Sequence, residues 1–517
     1  MDRSPLEKLR LAYEPSLPKI LQSRPHFSPG EATSSPQEIK NLFPRTCGRP
    51  IMRATAGASR PGHAMRVGVV LSGGQAAGGH NVIAGLLDGL MCLSSESRLL
   101  GFLDGPSGIV NNKTKELTPD LVRGYRNLGG FDMIGSGRTK IETDEQLKGA
   151  LQTAVALKLD AIVVIGGDDS NTNAAILAEY FLANNCKTVV VGVPKTIDGD
   201  LKNSYIPASF GFDTACKTYN ELIGNIGRDA MSAKKYTHFI KLMGRSASHI
   251  ALECGLSCHP NMVLIGEEVA HKKMTLAQLT AQVVDVITRR MERGLNYGVI
   301  LVPEGLIEFI PEVGTLIGEL NQHGTPDKIS AASKSCFDSL PEEIQKQLLL
   351  DRDPHGNVQV SLIETEKLLI SAVSRQIKGK FSSQAHFFGY EGRAGFPSNF
   401  DAHYCYALGH VASLLCSEGL TGYISCVGNL HLPTPQWTVA GLPITQMMNM
   451  EMRKGKSRPV IQKALVDLKG RPFAALEKQR AAWALGSDYR FPGPIQFFGD
   501  KELTDATTLT LQLEAGV

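Results

Sequence analysis

Ala161-Ile162-Val163-Val164-Ile165-Gly166-Gly167-Asp168-Asp169-Ser170-Asn171-Thr172 joins an unbroken apolar, β-branched run to two adjacent carboxylates. A second stretch repeats the design: Val189-Val190-Val191-Gly192-Val193 leads into Pro194-Lys195-Thr196-Ile197-Asp198-Gly199-Asp200. Continuous runs of this kind read as buried strands of a mainly parallel sheet. Four carboxylates and one lysine therefore follow the ends of two strands, on the rim where open α/β sheets bind ligands. Adjacent carboxylates repel a phosphate unless a divalent cation bridges them to it. The pattern points to Mg²⁺-assisted phosphoryl transfer.

Working outward, short apolar runs alternate with longer amphipathic segments from Met65 onward, with runs at Arg66–Leu71, 188–193, Thr237–Leu242, 262–265 and 298–302. That alternation predicts βαβ units. The strands are too many for one comfortable sheet, so two α/β lobes facing a cleft are expected. One lobe takes residues 65–212 with about 392–460, and the other takes 213–391. A mostly helical insertion is expected at about 314–380, with helices at 340–348 and 363–373 around a turn at Asp353-Pro354-His355-Gly356. Residues 1–64 form an N-terminal extension, with a short helix near 6–11 and an irregular Pro-, Ser- and Gly-rich part from 21. The C-terminal segment 461–517 carries a helix at 465–486, broken by Pro492-Gly493-Pro494.

A chain of 517 residues with a net charge of +3 has no electrostatic bias toward nucleic acid or a membrane surface. No apolar run approaches the roughly 18 residues of a membrane span. The first residues carry both charge signs and lack a hydrophobic signal core. The ten cysteines are scattered; Cys254, Cys258 and His259 come nearest to a cluster, but no second pair has zinc spacing. Structural thiols in a cytoplasmic enzyme are expected.

The remaining motifs each admit a plain reading. Val67-Gly68-Val69-Val70-Leu71-Ser72-Gly73-Gly74-Gln75-Ala76-Ala77-Gly78-Gly79 is a strand and glycine-rich turn that suits phosphate. It is neither a dinucleotide fingerprint nor a Walker sequence, and a ligand-free turn fits equally. Asp168-Asp169 also suits the dipole at the start of a helix at 173–182, and Lys195 to Asp198 also reads as a charged loop. Taken together, a metal-binding acid, a phosphate-neutralising lysine and a carboxylate able to take a hydroxyl proton are the parts of phosphoryl transfer. Lys241-Leu242-Met243-Gly244-Arg245, Pro303-Glu304-Gly305, Tyr390-Glu391-Gly392-Arg393 and Gly135-Ser136-Gly137-Arg138-Thr139-Lys140 add charged groups at strand ends or in glycine loops.

These motifs resemble the phosphofructokinase superfamily, and within it the pyrophosphate-dependent members of the long, plant-like type, from about Leu11 to the C-terminus. The resemblance implies two Rossmann-like αβα lobes, donor-binding and sugar-phosphate-binding. It also implies reversible Mg²⁺-dependent phosphoryl transfer from pyrophosphate to the 1-hydroxyl of fructose 6-phosphate. It assigns the general base to Asp198, the Mg²⁺ ligand to Asp168 and the phosphate cradle to Gly73 and Gly74. Asp169 takes the space of the ATP α-phosphate, while Lys195 and Arg138 meet the charge of the donor and the transferred group. Thr196, Ile197, Met243, Gly244, Arg245, Glu304, Tyr390, Glu391, Gly392 and Arg393 form the sugar-phosphate set. Lys235 and Tyr236 match positions lent by a neighbouring subunit, so the resemblance implies a homo-oligomer with shared sites, or a hetero-oligomer with a regulatory subunit.

The chain departs from the family pattern at Ala77, at Leu103-Asp104 and at Lys241, which stand where proline, a basic residue with glycine, and arginine are common. An ATP-dependent enzyme of the same family and a non-catalytic regulatory subunit are the rival readings. Asp169 and Lys195 argue against the first, and the full set of acids in both motifs argues against the second. A dinucleotide-binding dehydrogenase explains neither acidic pair.

Overall fold

A computed structural model of the chain describes all residues except 1–2, 24, 57–61, 351, 353–356, 380 and 454–455. The larger of its sheets runs, edge to edge, β1 (His26–Pro29), β2 (Met52–Thr55), β13 (Thr438–Pro443), β12 (Tyr423–Gly428), β7 (Val189–Pro194), β6 (Ala161–Gly166), β3 (Arg66–Leu71), β4 (Arg98–Phe102) and β5 (Thr114–Glu116). The smaller runs β11 (Ser383–Phe388), β8 (Thr237–Leu242), β10 (Gly298–Pro303) and β9 (Met262–Val263), all pairs parallel. A separate hairpin pairs β14 (Met448–Arg453) with β15 (Lys456–Ile461).

Every residue of β6 and β7 is buried, as expected of strands covered by helices on both faces. Each fully buried Val or Ile there contributes roughly 1.5–3 kcal/mol over an exposed one. Register then places the chemistry. Gly166 pairs with Pro194, so Gly167 and Lys195 leave the sheet side by side, and Ser72 N–H donates to the Ile165 carbonyl at 2.9 Å. In the smaller sheet Leu242 pairs with both Pro303 and Phe388, which sets Met243, Glu304 and Gly389 on one rim. Residues from both rims line a single cleft.

Two helices cross behind the larger sheet, Gly79–Leu93 and Asn399–Ser417. A Cβ at Gly85 would overlap the Tyr406 carbonyl, and one at Gly409 the Val82 carbonyl, so these glycines permit the close crossing. The helical insertion holds Pro311–His323, Ala331–Ser339, Glu342–Leu348 and Thr365–Ser374; the turn at 353–356 lies outside the described residues. Buried Lys241 fastens it, donating to the Ile363 carbonyl at 2.9 Å and standing 3.5 Å from Glu366.

Three readings are corrected. The extension from 21 is not irregular throughout: among its described residues β1 and β2 pair antiparallel and extend the sheet through Met52 against Gly441. Four-residue strands set among prolines leave no periodic signal. The helix at 173–182 begins earlier, as Asp168–Ala183, so both acids stand in its first turn. The C-terminal helix is Arg471–Leu485 and begins only after Gly470, with Pro472 in its first turn.

Candidate active site

The glycine turn after β3 is shaped by its neighbours. Gly73 has φ +84°, its N–H donates to the Gly137 carbonyl at 2.9 Å, and Ser136 Oγ donates to its carbonyl at 2.6 Å. A Cβ on Gly73 would lie 3.3 Å from Lys195 Nζ, and one on Gly74 3.4 Å from an Arg393 guanidinium nitrogen. Two cations therefore press on a backbone turn that only glycine leaves open, an arrangement suited to phosphate.

Past β6, Gly167 caps the helix that Asp168 and Asp169 open. Lys140 Nζ stands 3.1 Å from Asp169 Oδ1. Its loop is tied to the same helix, because Ile141 N–H donates to Asn173 Oδ1 at 3.0 Å. Past β7 the chain turns sharply at Gly199, φ +74°. Thr196 Oγ1 accepts from the Asp198 backbone N–H at 3.1 Å and donates to Asp200 Oδ1 at 3.2 Å, which ties the Thr196 and Asp200 side chains to the loop backbone.

Burial governs the proton affinities of this second loop. It draws the Lys195 ammonium down to about 8, with the Arg393 charge adding to the effect. It pushes Asp198 above the ordinary carboxylate range, with Glu304 adding, and Asp200 up to about 6, with Asp198 and Asp168 adding. A carboxylate moved toward neutrality is a better-matched general base than an ordinary aspartate.

On the facing rim, buried Glu304 accepts the Gly244 N–H at 2.9 Å, and burial raises its proton affinity as well. Arg393 donates to Met243 Sδ at 3.2 Å and stacks over the Tyr390 ring at 4.9 Å. The cleft of about 260 Å³ gathers Gly73, Gly74, Arg138, Asp168, Asp169, Lys195, Thr196, Ile197, Asp198, Met243, Arg245, Glu304 and Arg393 from both rims.

Other expected site residues lie outside its lining. Gly244 and Glu391 act on the rim backbone, Glu391 by accepting the Gly389 N–H at 2.8 Å. Gly392 packs against Tyr219, and Tyr390 is 73% exposed. Lys235 and Tyr236 sit before β8, at the end of that strand remote from the cleft. Lys241 faces the insertion rather than the cleft, and Asp104 packs behind the Gly135–Gly137 turn. Sequence reasoning missed Lys463, Ser246 and Ser361, which also line the cleft. Lys463 is a lone cation in the mainly apolar stretch Val460-Ile461-Gln462-Lys463-Ala464-Leu465-Val466, and Ser361 belongs to the insertion, so neither carries a motif.

Asp168, Asp198 and Asp200 supply hard oxygen donors of the kind Mg²⁺ takes. Among the described residues no group of three His, Cys, Asp or Glu side chains could hold a metal ion.

The phosphofructokinase family profile matches residues 66–416, the span that holds both rims. The chain belongs to the phosphofructokinase family. It is 53% identical over 99% of its length to the whole pyrophosphate–fructose 6-phosphate 1-phosphotransferase of Entamoeba histolytica. It is 52% identical to that enzyme's subunit beta 2 from Arabidopsis thaliana, covering 99% of this chain and 94% of the relative. The crystal structure of a pyrophosphate-dependent phosphofructokinase from Nitrosospira multiformis superposes with a TM-score of 0.58 over 86% of this chain and 96% of that one. At 17% identity that likeness establishes the two-lobed phosphofructokinase fold alone. Among the described residues, no helix is long and apolar enough to cross a membrane.

Proposed function

We propose that this phosphofructokinase transfers a phosphoryl group reversibly between pyrophosphate and the 1-hydroxyl of fructose 6-phosphate, giving fructose 1,6-bisphosphate and phosphate. The observation that carries the donor assignment is the pair Asp169 and Lys195 on the glycine-turn side of the cleft, Asp169 paired with Lys140 and Lys195 set beside Gly73. The Asp169 carboxylate on the donor rim repels a longer polyphosphate, while Lys195 and Arg138 offset the charge of a short one.

In this reading the larger sheet carries the donor and the smaller sheet the sugar phosphate. Asp198 accepts the proton of the 1-hydroxyl as the oxygen pair attacks phosphorus and the bridging P–O bond breaks toward the leaving phosphate. Lys195, Arg138 and Arg393 stabilise the charge spread over the phosphoryl oxygens. Arg245 binds the sugar phosphate and Glu304 the sugar hydroxyls. Asp168 would hold Mg²⁺, which when bound neutralises donor charge. Exposed Lys235 and half-buried Tyr236, at the far end of β8, suit a site on a neighbouring subunit, so the active assembly is an oligomer of this chain or one with a regulatory subunit. The ten free thiols fit a cytoplasmic enzyme.

A donor-swap assay on the purified chain with Mg²⁺ tests the reading. Pyrophosphate should support fructose 1,6-bisphosphate formation at least about 100-fold better than ATP, a difference of roughly 2.7 kcal/mol in transition-state binding. ATP replacing pyrophosphate sinks the donor assignment. Inactivity of the chain alone, restored by a partner, sinks the self-sufficient catalytic reading.

A further inference from the structure

The segment after β15 crosses between the two sheets and carries Lys463. On the larger-sheet side, Ile461 N–H donates to Thr172 Oγ1 at 3.3 Å and Ala464 N–H to the Asp200 carbonyl at 2.7 Å. On the smaller-sheet side, His249 Nε2 meets the Ala464 carbonyl at 2.8 Å, and Glu267 accepts the Val466 N–H at 3.0 Å. The backbone is thus pinned from both lobes, and the lysine side chain enters the cleft. Its Nζ donates to Ser246 Oγ at 2.5 Å and stands 3.8 Å from Asp168 Oδ2 and 3.9 Å from Asp200 Oδ2.

An ammonium nearly equidistant from two acids, and held by a hydroxyl from the opposite rim, is placed by construction rather than by chance approach. We infer that Lys463 is the built-in counter-cation of the acidic cluster, offsetting the charge of Asp168 and Asp200 and competing there with the divalent cation. The inference rests on the phosphotransferase reading only in placing that cation at Asp168. Like charges close together in a partly desolvated site repel strongly. Removing the ammonium therefore leaves the acids short of positive charge and tightens their hold on a divalent ion.

Calorimetric titration of Mn²⁺ into the full chain, with no phosphate compound present, tests this. Lys463→Met and Lys463→Gln should each bind Mn²⁺ at least about tenfold more tightly than the unsubstituted chain, while Lys463→Arg should bind it about as weakly. Mn²⁺ should also raise the Tm of both neutral variants by more than that of the unsubstituted chain. Equal Mn²⁺ affinity in the neutral variants and the unsubstituted chain, or binding detectable in neither, overturns the inference. A raised KM for the phosphate donor with unchanged Mn²⁺ affinity also overturns it, since Lys463 would then be a phosphate ligand. Donor preference is read separately by the swap assay, so loss of the donor assignment leaves the Mn²⁺ result standing.

Discussion

The loops after β6 and β7 leave adjacent parallel strands at the same level, yet they meet water differently. Asp168 and Asp169 open a helix with side chains 26% and 36% exposed, and each has a lysine from a distant part of the chain nearby, Lys463 or Lys140. The Asp200 side chain is only 10% exposed and Lys195 is buried, and burial moves the proton affinities of Lys195, Asp198 and Asp200 toward their neutral forms. The same strand-end origin thus serves two purposes. A partly hydrated pair of acids can exchange one cation for another, whereas a dehydrated loop can handle protons near neutral pH.

Proton handling by the second loop is broken most completely by Asp198→Ser. The expected outcome is a fall in kcat of about 10³-fold or more with sugar-phosphate binding retained, checked by steady-state kinetics beside calorimetry with fructose 6-phosphate. A loss under about tenfold removes Asp198 as the base.

Donor selection by the first loop is next in size. Asp169→Gly should weaken pyrophosphate use and, because a repelling carboxylate is gone, give ATP measurable activity, so that the pyrophosphate-to-ATP ratio of kcat/KM falls by about 100-fold. An unchanged donor ratio places exclusion elsewhere.

The difference in burial is sharpened by pH. Asp198 must be ionised to accept a proton, so its raised affinity moves the acid limb of kcat/KM upward. Lys195 is charged only below its lowered value, so activity should fall by up to about tenfold per pH unit above about 8. Lys195→Arg keeps its charge and should push that alkaline limb up by more than about one pH unit. An alkaline limb that stays in place assigns it to another group.

The smallest effect is expected at Lys140→Met, about two- to fivefold on the pyrophosphate KM, since its pair with Asp169 is partly solvated and such pairs are worth little. A change beyond about tenfold would show that Lys140 contacts the donor itself.

Much of this could be read along the chain because β3, β6, β7 and β10 are buried parallel strands whose apolar runs are nearly unbroken. Strand β11, with its Ser383-Gln384-Ala385-His386 start, is only partly buried and shows no such run. In β12 the buried Ser425 interrupts the apolar pattern. Strands β1 and β2 are too short to show a period. Their place was decided by the edge at β13, not by their own sequence. The Gly-Gly-Asp-Asp and Lys-Thr-Ile-Asp-Gly-Asp stretches carried the site because their spacing is local. Ser246 and Lys463 carried no signal, because 217 residues separate two groups that share one hydrogen bond.

Sequence alone determined two buried strand ends, the acids and lysine that follow them, and through these the family and the kind of reaction. Those features depend on side-chain type and near-neighbour spacing, which a linear chain displays. Only the tertiary structure decided which acids are dehydrated, which lysines stand beside them, and that a segment from the C-terminal part reaches back to join both lobes. Desolvation and charge pairing depend on distance through space, and folding sets that distance.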